Sequence, residues 1–173
     1  RYMDHMMIHA ARAQMAALHG ELGLARELLD DALQRLSRAM APTPLFLDGY
    51  YGAVETALML VQKSTNAVEK AADSQRLRRA LWQMTRLALH FPVGRPRALF
   101  SLGRALLLRE QRLLAHACLA ASLRHARRMQ LPFEEGLASL WLGRLLIGGA
   151  LSGGFQERSA ETHLRDAVRL FQS

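Results

Sequence analysis

Arginine, histidine and a single cysteine are the side chains of this 173-residue chain that could bind or react. His5 and His9 stand four positions apart, a spacing that puts two imidazoles on one helix face where they could hold a metal. Asp4 is the only further ligand nearby, and no His-Glu-x-x-His run exists. Solvent-facing or interfacial histidines are the plainer reading. His116 and His125 fall on opposite faces of one helix at about 100° per residue. His19, His90 and His163 fall at or near expected helix ends or turns, where solvent or a helix dipole accounts for them. Cys118 lies between Ala117 and Leu119, which suits a packing thiol; a nucleophile would need a base and a positive field beside it. As the lone cysteine it excludes an internal disulfide and a multi-cysteine metal site. Asp30-Asp31 and Glu134-Glu135 are adjacent in sequence, so on a helix each pair diverges by about 100° and is no acid–base couple. Gly148-Gly149 and Gly153-Gly154 lack the Lys-Ser/Thr that completes a phosphate loop and read as a turn. These residues name no reaction. The expectation is a non-enzyme with no cofactor and no metal.

The arginines carry more information. Of the 23 basic residues all but Lys63 and Lys70 are arginine. Residues 1–70 hold 7 Lys/Arg against 8 Asp/Glu, whereas residues 71–173 hold 16 against 7. The second part is therefore strongly cationic. Arginine favours bidentate contact with carboxylate or phosphate, so an acidic partner is expected.

What positions these groups is helical. Half the residues are apolar, enough for a sizeable core, and they recur at helical spacing with almost no strand-like alternation. No run of apolar residues is long enough to cross a membrane, and the first residues are not a signal peptide, so a cytoplasmic protein is expected. The absence of an initiator Met suggests part of a larger protein. Eight helices are expected, near 3–19, 22–40, 45–63, 74–90, 95–109, 111–129, 132–147 and 157–171. Gly20, Pro42, Pro44, Pro92 and the glycine cluster separate them, and Asp73 or Ser74 is expected to cap the fourth. Short connections then give four antiparallel hairpins, near 3–40, 45–90, 95–129 and 132–171, in a single helical-repeat domain covering 1–173.

An internal repeat supports the hairpins. Ala98-x3-Leu102-Gly103-Arg104-x-Leu106-Leu107 recurs as Ala138-x3-Leu142-Gly143-Arg144-x-Leu146-Ile147. The helix after the first has Ala115, Leu119 and Ser122; the helix after the second has Ala160, Leu164 and Ala167. A weaker copy uses Ala13, Ala16, Ala25, Leu29 and Ala32. Small residues opposite leucine let two helices approach closely.

This pattern resembles the tetratricopeptide repeat family, whose hairpins place small and large residues at these spacings. The last copy fits with a five-residue insertion in its glycine loop. The resemblance implies an all-α solenoid whose inner groove is lined by the first helix of each repeat. Its groove positions correspond here to Arg97, Phe100, Arg104, Leu140 and Arg144. Family members use such residues to hold carboxylates of peptide ligands.

A narrower likeness covers residues 75–173. His90-Phe91-Pro92-Val93-Gly94-Arg95-Pro96-Arg97-Ala98, Met129-Gln130-Leu131-Pro132-Phe133-Glu134-Glu135-Gly136-Leu137-Ala138 and Leu142-Gly143-Arg144 resemble the C-terminal repeats of STAND-type signalling ATPases. Such ATPases are often fused to a class III adenylyl cyclase, a kinase or a DNA-binding domain. The likeness implies a regulatory module.

The function expected is thus non-catalytic binding of an acidic protein or peptide, or of a neighbouring domain, through exposed arginines. A basic helical nucleic-acid-binding domain is the alternative. Self-association through the end repeats, by Met3, Met6 and Met7 or by Leu164 and Phe171, is a further expectation.

Overall fold

The computed structural model describes residues 2–38, 46–147 and 159–172, with side chains from Met7 onward. The glycine cluster, Pro42, Pro44 and the side chains of Met3, Asp4, His5 and Met6 lie outside the described residues. Within them the fold is all-α, with no strand. The helices are α1 (Tyr2–His19), α2 (Leu22–Arg38), α3 (Leu47–Lys63), α4 (Ala67–His90), α5 (Arg95–Leu107), α6 (Arg112–Arg128), α7 (Pro132–Ile147) and α8 (Ala160–Gln172). A 3-10 turn, Pro92–Gly94, follows α4. The chain divides into two compact units, residues 1–94 and 95–173.

One turn recurs at three helix ends. Gly20, Glu110 and Gln130 all have positive φ, at 85°, 59° and 55°. At each, the next residue's N–H reaches back to a carbonyl five positions earlier: Glu21 to Ala16, Gln111 to Leu106 and Leu131 to Ala126, at 2.9–3.0 Å. This is the Schellman closure, which satisfies carbonyls that a helix end leaves over. Glycine takes that conformation freely; Glu110 and Gln130 hold it at a cost.

In the unit of residues 95–173, α5 packs on α6, α6 on α7 and α7 on α8. The repeat glycines set the spacing. A Cβ on Gly103 would stand 2.9 Å from Leu119 Cγ and 3.3 Å from the Ala115 carbonyl oxygen. One on Gly143 would stand 2.8 Å from Leu164 Cγ and 3.2 Å from the Ala160 carbonyl oxygen. The residues that repeat in sequence therefore form the same close contact in both hairpins. Gly136 repeats the device, since a Cβ there would stand 2.8 Å from the Phe171 ring. Buried Ser122 adds a hydrogen bond from its Oγ to the Pro96 carbonyl oxygen at 2.7 Å, tying α6 to α5.

In the unit of residues 1–94, α1 packs on α2 and α3, and α4 on α3 and α2. Ala13, Ala25, Leu29 and Ala32 of the weaker repeat copy are all fully buried. Lys63 donates to the Ala17 carbonyl at 2.7 Å, placing a cation at the end of α1, where the helix dipole favours it. Gln83 donates to the Leu33 carbonyl at 3.0 Å and fastens α4 to α2.

One expected boundary is corrected. The fourth helix begins at Ala67, seven residues before the expected start, and its cap is Asn66, whose side chain accepts the Glu69 N–H at 2.8 Å. Ser64-Thr65-Asn66 is the entire break between α3 and α4. Asp73 is no cap. It lies inside α4, fully buried, where Arg26 grips both carboxylate oxygens at 2.9–3.2 Å. Ser64 Oγ donates to it at 2.6 Å and Arg76 at 3.0 Å. Glu69 completes the surroundings of Arg26 and Asp30 those of Arg76. Burial pushes the Asp73 carboxyl upward. The hydrogen bonds from Arg26 and Ser64, and the charges of Arg26 and Arg76, outweigh it and hold the group below the usual carboxylate range.

Two predictions follow from this packing. Gly103→Leu should destabilise by about 1–3 kcal/mol through overpacking against Leu119, whereas Glu110→Gly should stabilise by about 0.5–1 kcal/mol by relieving positive φ. Urea unfolding of both variants checks this, and a midpoint unmoved by Gly103→Leu would remove the close contact.

For Asp73, the folded value lies below the unfolded one. Its stabilisation is therefore present above about pH 4 and is lost as pH falls through the folded value. Thermal midpoints of the parent chain should drop in acid, and those of Asp73→Asn should start lower and drop less. Arg26→Ala should cost about 3 kcal/mol, because it strands a buried carboxylate.

Candidate functional site

Three of the five residues named for the groove, Phe100, Arg104 and Arg144, make side-chain contacts that define a surface on α5 and α7. Phe100 and Arg104 are four apart on α5, so they share its face. Phe100 is buried, at 3% exposure, and forms a floor. Its ring meets Trp141 of α7 edge-on, with centroids 6.3 Å apart and planes at 82°. The Arg104 guanidinium lies 4.8 Å from the Trp141 centroid and 5.6 Å from that of Phe100. The Arg144 guanidinium lies 5.6 Å from the same Trp141 ring. Two cations thus converge on one half-buried indole, whose π face attracts positive charge. Arg144 is exposed and Arg104 half-buried.

The other two residues behave differently. Arg97 donates from Nε to Glu134 Oε1 at 2.9 Å, and both side chains are largely buried. It ties the first turn of α5 to the first turn of α7 and is not presented as the other two arginines are. Leu140 is half-buried on α7, three positions before Gly143. Glu135 is also engaged, accepting from Arg127 at 2.8 Å. The two glutamates at the start of α7 therefore bind Arg97 and Arg127.

Trp141 is the central residue that sequence reasoning missed. A signal for it existed. Trp141 precedes Arg144 by three positions, a spacing that brings an aromatic and a cation onto one helix face.

The remaining chemical candidates have structural settings. His9 Nδ1 lies 3.0 Å from Asp31 Oδ2, and Arg35 donates to the same oxygen at 2.7 Å. The hydrogen bond from Arg35 lowers the Asp31 carboxyl, against the effect of burial. Burial pushes the Cys118 thiol upward, away from the thiolate a nucleophile needs. Among the described residues no group of three His, Cys, Asp or Glu side chains is placed to hold a metal ion, and no helix is long and apolar enough to cross a membrane.

No family model, curated protein or solved structure matches the chain.

The stacked geometry carries an expectation of its own. Arg104→Ala should lower stability by about 1 kcal/mol, since it removes a partly desolvated cation from two rings, while exposed Arg144→Ala should lower it by less. Thermal melts of the two variants side by side check the order.

Proposed function

We propose that the chain is a non-catalytic interaction module that holds an acidic segment of a protein over the Trp141 surface. The observation that carries this reading is the meeting of Arg104 and Arg144 on one indole. An aromatic face offers apolar area, and two guanidiniums beside it offer charge-assisted hydrogen bonds to carboxylates. The nearby glutamates at the start of α7 are held by Arg97 and Arg127. The recurring Gly–Leu contact and the recurring turn support a repeat architecture of the tetratricopeptide kind. The likeness to repeats of signalling ATPases supports a regulatory setting, with a neighbouring domain or a separate protein as the acidic partner.

Replacing Arg104 and Arg144 together by Ala should weaken binding of a labelled Glu- and Leu-rich peptide by about tenfold or more, since each good charge-assisted bond contributes about 1.5–3 kcal/mol. Fluorescence anisotropy measures the affinity. In a Trp82→Phe background Trp141 is the sole tryptophan, so its emission should change on binding. An affinity indifferent to both arginines would reject the site. Tighter binding of random duplex DNA, falling steeply with salt and lost in the double variant, would replace the protein partner with nucleic acid.

A further inference from the structure

The exposed face of α4 has a different composition and belongs to the other unit. Between Asp73 and Glu110 the sequence has no acidic residue. Within α4 this stretch carries Arg76, Arg78, Arg79 and Arg86. Arg76 turns to Asp30 and Asp73, but Arg78, Arg79 and Arg86 are exposed. Among the described residues none of these three is paired with a carboxylate. The only other acid of α4, Glu69, is held by Arg26.

The apolar residues on this face are regularly placed. Val68, Trp82 and Leu89 fall on a seven-residue spacing whose remaining position is the polar Gln75, so they lie almost in line along the helix, over about 32 Å. Val68, Trp82 and Leu89 are 81%, 57% and 69% exposed, although the opposite face of α4 is buried through Leu77, Met84 and Leu87. Arg78, Arg79 and Arg86 flank the line, and the Arg86 guanidinium lies 4.7 Å from the Trp82 centroid.

We propose that this face docks an acidic amphipathic helix of a protein partner. A narrow apolar line along a helix is a surface that another amphipathic helix can meet, and flanking charges set the choice of partner. Carboxylates beside the partner's own apolar seam would meet the three arginines. A second copy of the chain is disfavoured, because its arginines would face these arginines. A membrane surface calls for a broad apolar face, and here the stripe is one residue wide. For a nucleic acid, Val68 and Leu89 at the two ends of the line have nothing to meet along a phosphate backbone.

The test uses the whole chain and a labelled helical peptide of about three heptads, with Leu at its seam positions and Glu beside them. Anisotropy should show binding. Arg79→Glu with Arg86→Glu, and separately Trp82→Ala, should weaken it by about tenfold or more. The milder pair Arg79→Gln and Arg86→Gln should weaken it less and guards against misfolding, with a thermal melt as control. The same losses should appear when these substitutions are made in an Arg104→Ala, Arg144→Ala background, which removes the Trp141 surface and so separates it from the α4 face. A peptide with Lys in place of Glu should not bind. Absence of binding by the Glu peptide, equal binding of the Lys peptide, or insensitivity to the α4 substitutions would each overturn the proposal. So would tighter, Arg79- and Arg86-dependent binding of a single-stranded oligonucleotide or of anionic vesicles.

Discussion

The contact between a glycine on one helix and a leucine on the next governs the unit of residues 95–173. Gly103 with Leu119 and Gly143 with Leu164 leave no space for a Cβ, and in each case a backbone carbonyl stands just behind the leucine. Glycine weakens a helix interior by up to about 1 kcal/mol relative to alanine. Its presence at both positions therefore reflects what the short approach returns in packing. Once α5 meets α6 at this distance, the Schellman turn sets the chain's course through Glu110. The course of α7 then places Trp141 against Phe100. The Trp141 surface is a consequence of that spacing: a side chain at Gly103 or Gly143 would move the helices that carry both arginines.

The unit of residues 1–94 uses alanine where the other uses glycine, and binds its second hairpin with charge. Asp73 is the centre of that arrangement, gathering Arg26 from α2, Arg76 from its own helix and Ser64 from the break before it. A buried carboxylate is a poor source of net stability, because desolvation offsets much of the attraction. What it does provide is register. Arg26 reaching Asp73 and Arg76 reaching Asp30 are charged links between α2 and α4 that depend on that register.

The helices and their order were legible in the sequence because apolar periodicity, Gly20 and the prolines mark them. The glycine contacts were legible too, since the repeated Leu-Gly-Arg places a missing side chain at the same point of two hairpins. The start of α4 was not. Asp73 followed by Ser74 looks like a cap, and Asn66 with Glu69 three positions on is an equally good one. Choosing between them needs Arg26, 47 residues away, which stabilises Asp73 inside the helix. The groove residues divided for a similar reason. Spacing placed Phe100, Arg104 and Arg144 on suitable faces, but spacing says nothing about which glutamate lies across from which arginine. Arg97 meets Glu134 because α7 runs beside α5, and the spacing of Trp141 to Arg144 does not show that Arg104 and Phe100 of α5 meet the same ring.

Net charge is therefore a weak guide to where this chain binds. Arg26, Arg76, Arg97 and Arg127 count toward the total, yet their guanidiniums are occupied by carboxylates of their own unit. Three other arginines have aromatic neighbours. Arg104 and Arg144 lie on Trp141, and Arg86 lies on Trp82. A ring holds a guanidinium in place without neutralising it, whereas a carboxylate does both. Both tryptophans of the chain serve in this way. The aromatic contact lowers the entropy a long side chain would lose on binding. Both proposed surfaces are centred on a tryptophan for that reason.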